Sequence, residues 1–347
     1  MDRDDIARQR SRRPISIDYP DGKTFTFNTK NSGNVTIQLP KGINGPINFL
    51  GEGMEAYVLR AKQRDKDVKV KIFKKLPGEK TQETYSISGP IPDGQINFHA
   101  ILWARAQQFP DLSQYLNQFI SSNICLVNDD IMPCAVLGYI DGSTIEKKKD
   151  VLCYELDENA RDDFRIIIPQ LIKGMKAISL AGFYHTDFYL GNVIYNPTTK
   201  TAFLDDLSMV VDKPFISTDY VEDIPDHEVI GPPPTFAYAV SDRYRAPEVA
   251  RIRNDRFPIG VYDCNRFTEH STQYALTVAL YILLTDDAIF RLELSDGQSG
   301  YNNGLEKVLS TFKGAQKDFL LKGLTFNPEN RFESYSDMLM QFENSFW

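Results

Sequence analysis

Apolar and polar residues alternate through much of the first third of the chain. Ile15 to Leu39 alternates around two turn signals, Asp21-Gly22 and Asn31-Ser32-Gly33, which predicts β-hairpins. Phe49 to Phe73 keeps strand character, and one helix is expected at Gln95 to Gln108. After Gly142 the period becomes helical. Phe164, Ile167, Ile168, Leu171, Ile172 and Met175 mark the buried face of a helix from about Glu158 to Leu180, with Asp157 placed to cap it. Tyr274 to Leu284 is apolar all round, as in a helix enclosed by others. Phe312 to Phe326 and Ser334 to Phe346 predict two more helices. A β-rich start and an α-rich end predict an α+β architecture. The expected parts are an N-terminal extension over 1–45 (a disordered start, then β-hairpins), a β-rich lobe over 46–140 and a helical lobe over 141–347. The hinge is placed near Leu137 to Gly142.

Length agrees with two lobes, since 347 residues exceed what one core usually serves. The 42% hydrophobic and 25% charged residues are ordinary for a globular protein. A net charge of −8 argues against a nucleic-acid partner, whose footprint would be basic. Four cysteines without a C-x-x-C pair read as buried free thiols, not a zinc site. The N-terminus lacks the apolar core of a signal peptide, and the longest apolar stretch is short of the roughly 20 residues a membrane span needs. A soluble protein without a transmembrane segment is expected, cytoplasmic or delivered into a host cell as an effector.

The most informative stretch is His185-Thr186-Asp187-Phe188-Tyr189-Leu190-Gly191-Asn192, followed by Leu204-Asp205-Asp206-Leu207-Ser208. Val193 to Tyr195 and Ala202 to Leu204 read as a hairpin that returns the second acid toward the first. An acid, an amide and a further acid are what phosphoryl transfer uses: one carboxylate orients the attacking hydroxyl, and two hard oxygen donors hold a divalent cation on the phosphates. Asp187 is the expected base. Asn192 and Asp206 are the expected ligands, with Asp205 as rival. Upstream, Gly51-Glu52-Gly53 forms a turn between strands whose backbone N–H groups can approach phosphates. Lys71 follows it by one hairpin, with Lys69 as the weaker candidate on the same strand face. Downstream, Ala246-Pro247-Glu248 starts like a helix, and Arg331 is expected to pair with Glu248 in bidentate fashion.

These motifs, in this order, resemble the eukaryotic-type protein kinase family from about Ile47 to Phe346. Gly51-x-Gly53-x-x-Ala56-x-Val58 is similar to the glycine-rich loop, and Val68 to Lys71 to the phosphate-binding lysine strand. His185 to Asn192 is similar to the catalytic loop, and Asp206-Leu207-Ser208 to the metal-binding triplet. Ala246-Pro247-Glu248 with Arg331 is similar to the pair that buttresses the activation segment. The resemblance implies a bilobal protein-kinase-like fold that uses ATP with Mg²⁺ or Mn²⁺. It implies that Gly51, Gly53, Val58 and Lys71 attend the nucleotide, that Gly138 and Ile140 lie against adenine, and that Asn192 and Asp206 bind metal. Asp187 and Lys71 are the implied catalytic residues, and a protein serine or threonine is the implied acceptor.

Several positions depart from the family. Thr186 replaces the arginine before the catalytic acid, and Tyr189 replaces the lysine two positions after it. His99 stands near the place of the helix glutamate that pairs with the strand lysine, with Glu79 and Glu83 as substitutes. Thr272 stands where a later helix carries aspartate. The Asp206 to Glu248 segment is long. These departures keep two other readings open: transfer of phosphate to a small molecule or of another nucleotide moiety to protein, and a nucleotide-binding pseudokinase scaffold. The basic clusters at Lys66–Lys80, Lys147–Lys149 and the arginine-rich start would suit a polyanionic activator, beside the plainer expectation of solvated lysines.

Overall fold

The computed structural model describes residues 22–29, 32–52, 56–74, 92–148, 158–207, 210–212, 244–249, 251–252, 261–262, 267–285 and 297–347. The fold is α+β, and the chain divides into two compact units. One is Met1–Ile96 with Phe119–Tyr139, and the other is Asn97–Gln118 with Ile140–Trp347.

The first unit is built on an antiparallel sheet. Its strands are β1 (Thr24–Thr29), β2 (Gly33–Gln38), β3 (Ile43–Glu52), β4 (Ala56–Gln63), β5 (Lys66–Phe73), β6 (Phe119–Val127) and β7 (Asp130–Gly138). Their order is β1-β2-β6-β7-β5-β4-β3. Two of the hairpins close through residue pairs in the left-handed region: Arg64 and Asp65 (φ 49° and 65°), and Asn128 and Asp129 (φ 49° and 69°). Such turns match the natural twist of paired strands. Asn128 also accepts a hydrogen bond from Thr36 N (2.8 Å), which ties β2 to the β6–β7 turn. The two edges of the sheet meet, where the Phe27 ring of β1 stacks on Phe49 of β3 with centroids 5.5 Å apart. Val35, Ile37, Leu59, Val70, Ile72 and Val136 fill the enclosed side and are fully buried. On β5 the alternation runs as its sequence predicts: Val68, Val70 and Ile72 face that core, and Phe73 joins Ala135 and Leu137 in a separate small cluster.

The strands of the expected extension are continuous with this sheet. Ile37 and Gln38 of β2 pair with Val127 and Leu126 of β6, and β3 begins at Ile43 and so crosses position 45. The backbone groups on the β6 edge are thereby paired instead of left open. Residues 1–21 and the turn residue Asn31 lie outside the described residues.

The second unit is largely helical. It holds α1 (Pro92–Ala106) from Asn97 onward, α2 (Pro110–Ser113), α3 (Glu158–Leu180), α4 (Glu269–Thr285), α5 (Gly297–Val308), α6 (Gly314–Gly323) and α7 (Tyr335–Phe346). Phe164, Ile167, Ile168, Leu171, Ile172 and Met175 of α3 are buried in one core with α4, of which every residue from Ser271 to Leu284 is buried. Helix α7 starts at Ser334, whose hydroxyl accepts from Asp337 N (3.2 Å). That cap satisfies a backbone donor that the first turn leaves open. Residues 97–118 pack with this unit instead of the β-rich one. Leu102, Ala106 and Leu116 lie in its core, and Leu116 forms an isolated bridge with Leu204. Helix α5 has no counterpart in the sequence prediction, because Gly, Asn and Ser surround its buried Tyr301 and Leu305 and dilute the period. Asp157, the expected cap of α3, lies outside the described residues. Among the described residues no helix is long and apolar enough to cross a membrane. Cys125 and Cys134 are buried free thiols.

Candidate active site

The short strand β8 (Ser143–Thr144) pairs with β10 (Val193–Asn196); strand β9 (Phe183–His185) enters the site and β10 leaves it, with a 3₁₀ turn at Leu190–Asn192 between them. Apolar anchors hold the intervening loop to the core: Phe188 and Leu190 are buried, while Asp187 between His185 and Phe188 is only half-buried. The loop closes on itself. Asn192 N donates to Tyr189 O (2.9 Å), and the Asn192 side-chain amide donates to Asp187 O (2.8 Å) and to its carboxylate (3.4 Å). Asn192 thus spends Nδ2 on Asp187, and its Oδ1 is the atom it can offer a cation.

Strands β10 and β11 (Thr201–Leu204) pair as the sequence predicts, Val193 opposite Leu204. Asn196 Oδ1 holds the turn by accepting from Thr198 N (2.9 Å) and Thr199 N (3.1 Å). The hairpin delivers Asp205 and Asp206 beside the loop, and Asp205 N donates to Asn192 O (2.8 Å). The two acids then differ. Asp205 Oδ1 accepts from Asn117 Nδ2 (2.5 Å), whereas Asp206 acts electrostatically on His185 and on Tyr189. Asn117 is reached from a segment 88 residues away and carries no signal in the sequence. Leu207 behind the acids is fully buried.

Two neighbours report the local field. His185 is buried, and desolvation lowers its pKa to about 4 despite the opposing pull of Asp206. It is neutral at ordinary pH. Its Nδ1 accepts from Asp187 N (3.3 Å), which assigns the proton to Nε2, and Nε2 is buried without a hydrogen-bond partner among the described residues. Tyr189 is pushed up to about 12, first by burial and then by Asp187, Asp206, Glu146 and Tyr244. The phenol remains neutral beside three carboxylates. Its ring lies 6.3 Å from that of Tyr244 and folds over Gly191, where a Cβ would strike it and would sit 2.8 Å from Glu146 Oε2. A side chain at Gly191 would have to displace the Tyr189 ring and the Glu146 carboxylate, while the backbone conformation of Gly191 itself is not unusual.

Gly51, Val58 and Lys71 belong to the first unit. Gly51 pairs with Val58, Val58 with Lys71, and Lys71 with Ala135, so the four form one row across β3, β4, β5 and β7. Paired residues on neighbouring strands share a face. Tyr57 and Leu59 belong to the enclosed core, so this row lies on the opposite face. Lys71 is 8% exposed, as is Lys69, and Lys71 Nζ lies 5.1 Å from the Phe73 ring centroid. Gly138 ends β7 and Ile140 follows it by two residues. His99 on α1 is buried, its Nε2 3.5 Å from Asn117 O. Gly53, Glu79 and Glu83 lie outside the described residues, as does Ser208.

Farther along, Arg331 makes a two-pronged ion pair with Glu248, Nη1 to Oε1 at 2.6 Å and Nη2 to Oε2 at 2.8 Å. The guanidinium also donates to Thr325 O (3.1 Å) and His270 O (2.9 Å), and its side chain is fully buried. Thr272 shares a short hydroxyl contact with Tyr335. Among the described residues no group of three His, Cys, Asp or Glu side chains could hold a metal ion. The candidate cation ligands are therefore one amide oxygen and one carboxylate, hard donors that suit Mg²⁺ or Mn²⁺ and leave positions for phosphate and water.

No protein-family model matches the sequence, and no curated protein matches it. Among solved structures, the chain is similar to the Cydia pomonella granulovirus kinase PK-1, with 14% sequence identity and a TM-score of 0.47. The match covers 85% of this chain and 93% of that one.

Proposed function

We propose that this chain is an ATP- and divalent-cation-dependent phosphotransferase of the protein kinase type that acts on serine or threonine of a protein substrate. The observation that carries the reading is the Asp187–Asn192 hydrogen bond with Asp206 delivered beside it by the β10–β11 hairpin. Asp187 accepts the proton of the acceptor hydroxyl as its oxygen bonds to phosphorus and ADP departs. Asn192 holds Asp187 in place through Nδ2, and with Asp206 would hold the cation. A bound Mg²⁺ or Mn²⁺ would neutralise the phosphate charge. Lys71 serves the phosphates, Gly51, Gly53 and Val58 cover them, and Gly138 and Ile140 line the adenine. A protein acceptor is favoured by the intact Glu248–Arg331 pair, since Arg331 is the interior anchor of the segment that the family uses to seat peptide.

A second reading, a pseudokinase scaffold, is favoured by the buried His99 at the family's glutamate position and by Tyr189 in place of lysine. One experiment separates the two. Purified protein is incubated with labelled ATP, each divalent cation and a generic protein substrate, beside Asp187→Asn. Transfer abolished by the variant supports the kinase. Nucleotide binding by thermal shift without transfer in either protein favours the scaffold. Phosphate recovered only on small molecules would overturn the protein acceptor.

A further inference from the structure

We infer that the β1–β2 hairpin is a clasp on the strand ends that flank the glycine turn, Gly51–Glu52 and Tyr57–Val58, and that Ser32 is its positioning residue. This rests on the proposed use of that turn by the nucleotide.

The strand ends on either side of the hairpin tip are tied together. Ser32 N donates to Thr29 Oγ1 (3.0 Å), and Gly33 takes φ 68°, a conformation that favours glycine. Ser32 Oγ then points away from its own strand and donates to Glu52 Oε1 at 2.6 Å. Glu52 is the residue after Gly51, at the end of β3 and opposite Tyr57 of β4. Its carboxylate cannot rely on water, because the side chain is only 4% exposed. A buried carboxylate must be compensated by donors. Lys74 supplies the charge at 2.6 Å from the same Oε1, and stands 4.5 Å over the Tyr57 ring. The Tyr57 hydroxyl closes the circle by donating to Ser32 Oγ (3.2 Å).

Four side chains from the hairpin tip, both flanks of the glycine turn and the end of β5 thus form one network. Nothing in strand pairing demands it, since β2 is already secured on β6 and the sheet edges already meet at Phe27 and Phe49. The β3–β4 ladder shifts register between Phe49 and Gly51, so its last two pairs, Gly51–Val58 and Glu52–Tyr57, are set apart from the regular ladder behind them. Ser32 and Lys74 secure those pairs through Glu52. Preorganising a phosphate-binding backbone lowers the ordering cost of binding and should appear in nucleotide affinity.

The test compares the wild-type protein with Ser32→Ala and Ser32→Thr. Hydrogen exchange is read without nucleotide at the amides of Gly51, Glu52, Tyr57 and Val58. Exchange there should quicken about tenfold in the alanine variant, the worth of one charge-assisted hydrogen bond, and recover in the threonine variant. The KM for ATP should rise by a similar factor with kcat unchanged. If exchange at these amides is the same in all three proteins, the clasp is overturned. If Ser32→Ala instead quickens exchange uniformly across the sheet, the hairpin is an edge cover and the inference also fails. A protein that shows the local exchange effect but neither binds nor turns over ATP would sink the nucleotide reading while leaving the clasp standing.

Discussion

Asn192 reaches back along the loop to hold Asp187 by two atoms, the main-chain carbonyl at 2.8 Å and the carboxylate at 3.4 Å. The stronger bond is to the backbone. The carboxylate therefore owes its position mainly to the loop. Asp187→Asn keeps the loop bond and removes the proton acceptor. Turnover of ATP with protein substrate should fall about 10²–10⁴-fold, the usual contribution of a positioned base. Thermal unfolding of the variant should match that of the wild-type protein.

Asp205 and Asp206 are adjacent and should respond differently to removal. Asp205→Ala strips Asn117 Nδ2 of its acceptor in a buried setting. It should lower stability by about 1–3 kcal/mol, the cost of an unsatisfied buried donor, with Mn²⁺ affinity retained. Asp206→Ala should abolish the Mn²⁺ dependence of nucleotide binding and leave chemical denaturation nearly unchanged. Cation titration and urea unfolding of both variants check the pair. The reverse pattern would assign the ligand to Asp205.

The Arg331–Glu248 pair is enclosed, with the guanidinium fully buried and further donating to the carbonyls of Thr325, Phe326 and His270. Removing one partner of such a pair leaves an uncompensated charge, which costs about 3–5 kcal/mol. Glu248→Gln should therefore destabilise the protein by an amount in that range in urea unfolding. Arg331→Lys should lose the two-pronged geometry and fall between the wild type and Glu248→Gln.

His185 links acidity to the loop. Burial holds its pKa near 4, below the unfolded value of 6.5. The unfolded chain therefore binds this proton first. The contribution of His185 to stability is complete above 6.5, declines as pH falls toward 4, and changes no further below that. The total is on the order of 3 kcal/mol, at 1.36 kcal/mol per unit. His185→Asn keeps an acceptor for Asp187 N but does not titrate. Its unfolding free energy should vary less with pH than the wild type across that window.

Much of the fold was readable because it depends on local periodicity. The span of α3, its buried stripe, the β10–β11 hairpin and the outward side of Lys71 all follow from spacing along one element. The candidate residues of the loop were readable for the same reason, since an acid and an amide five positions apart lie on one short turn. The Arg331–Glu248 pair was the single long-range contact anticipated, from motif order instead of spacing.

The rest required the chain to fold. Asn117 selects Asp205 over a distance of 88 residues, and no local pattern encodes that choice. Residues 97–118 join the helical unit because Leu102 and Leu116 bury against it, although their sequence position falls between strands of the sheet. Ser32 meets Glu52 because a curled sheet brings its first hairpin to its third strand. Sequence by itself determined most of the elements and the candidate residues of the loop, because those depend on neighbours along the chain. Only the tertiary structure decided that Asp205, of two adjacent acids, is the one Asn117 holds, and that Ser32 and Lys74 meet at Glu52, because hydrogen-bond partners are assigned by distance in space.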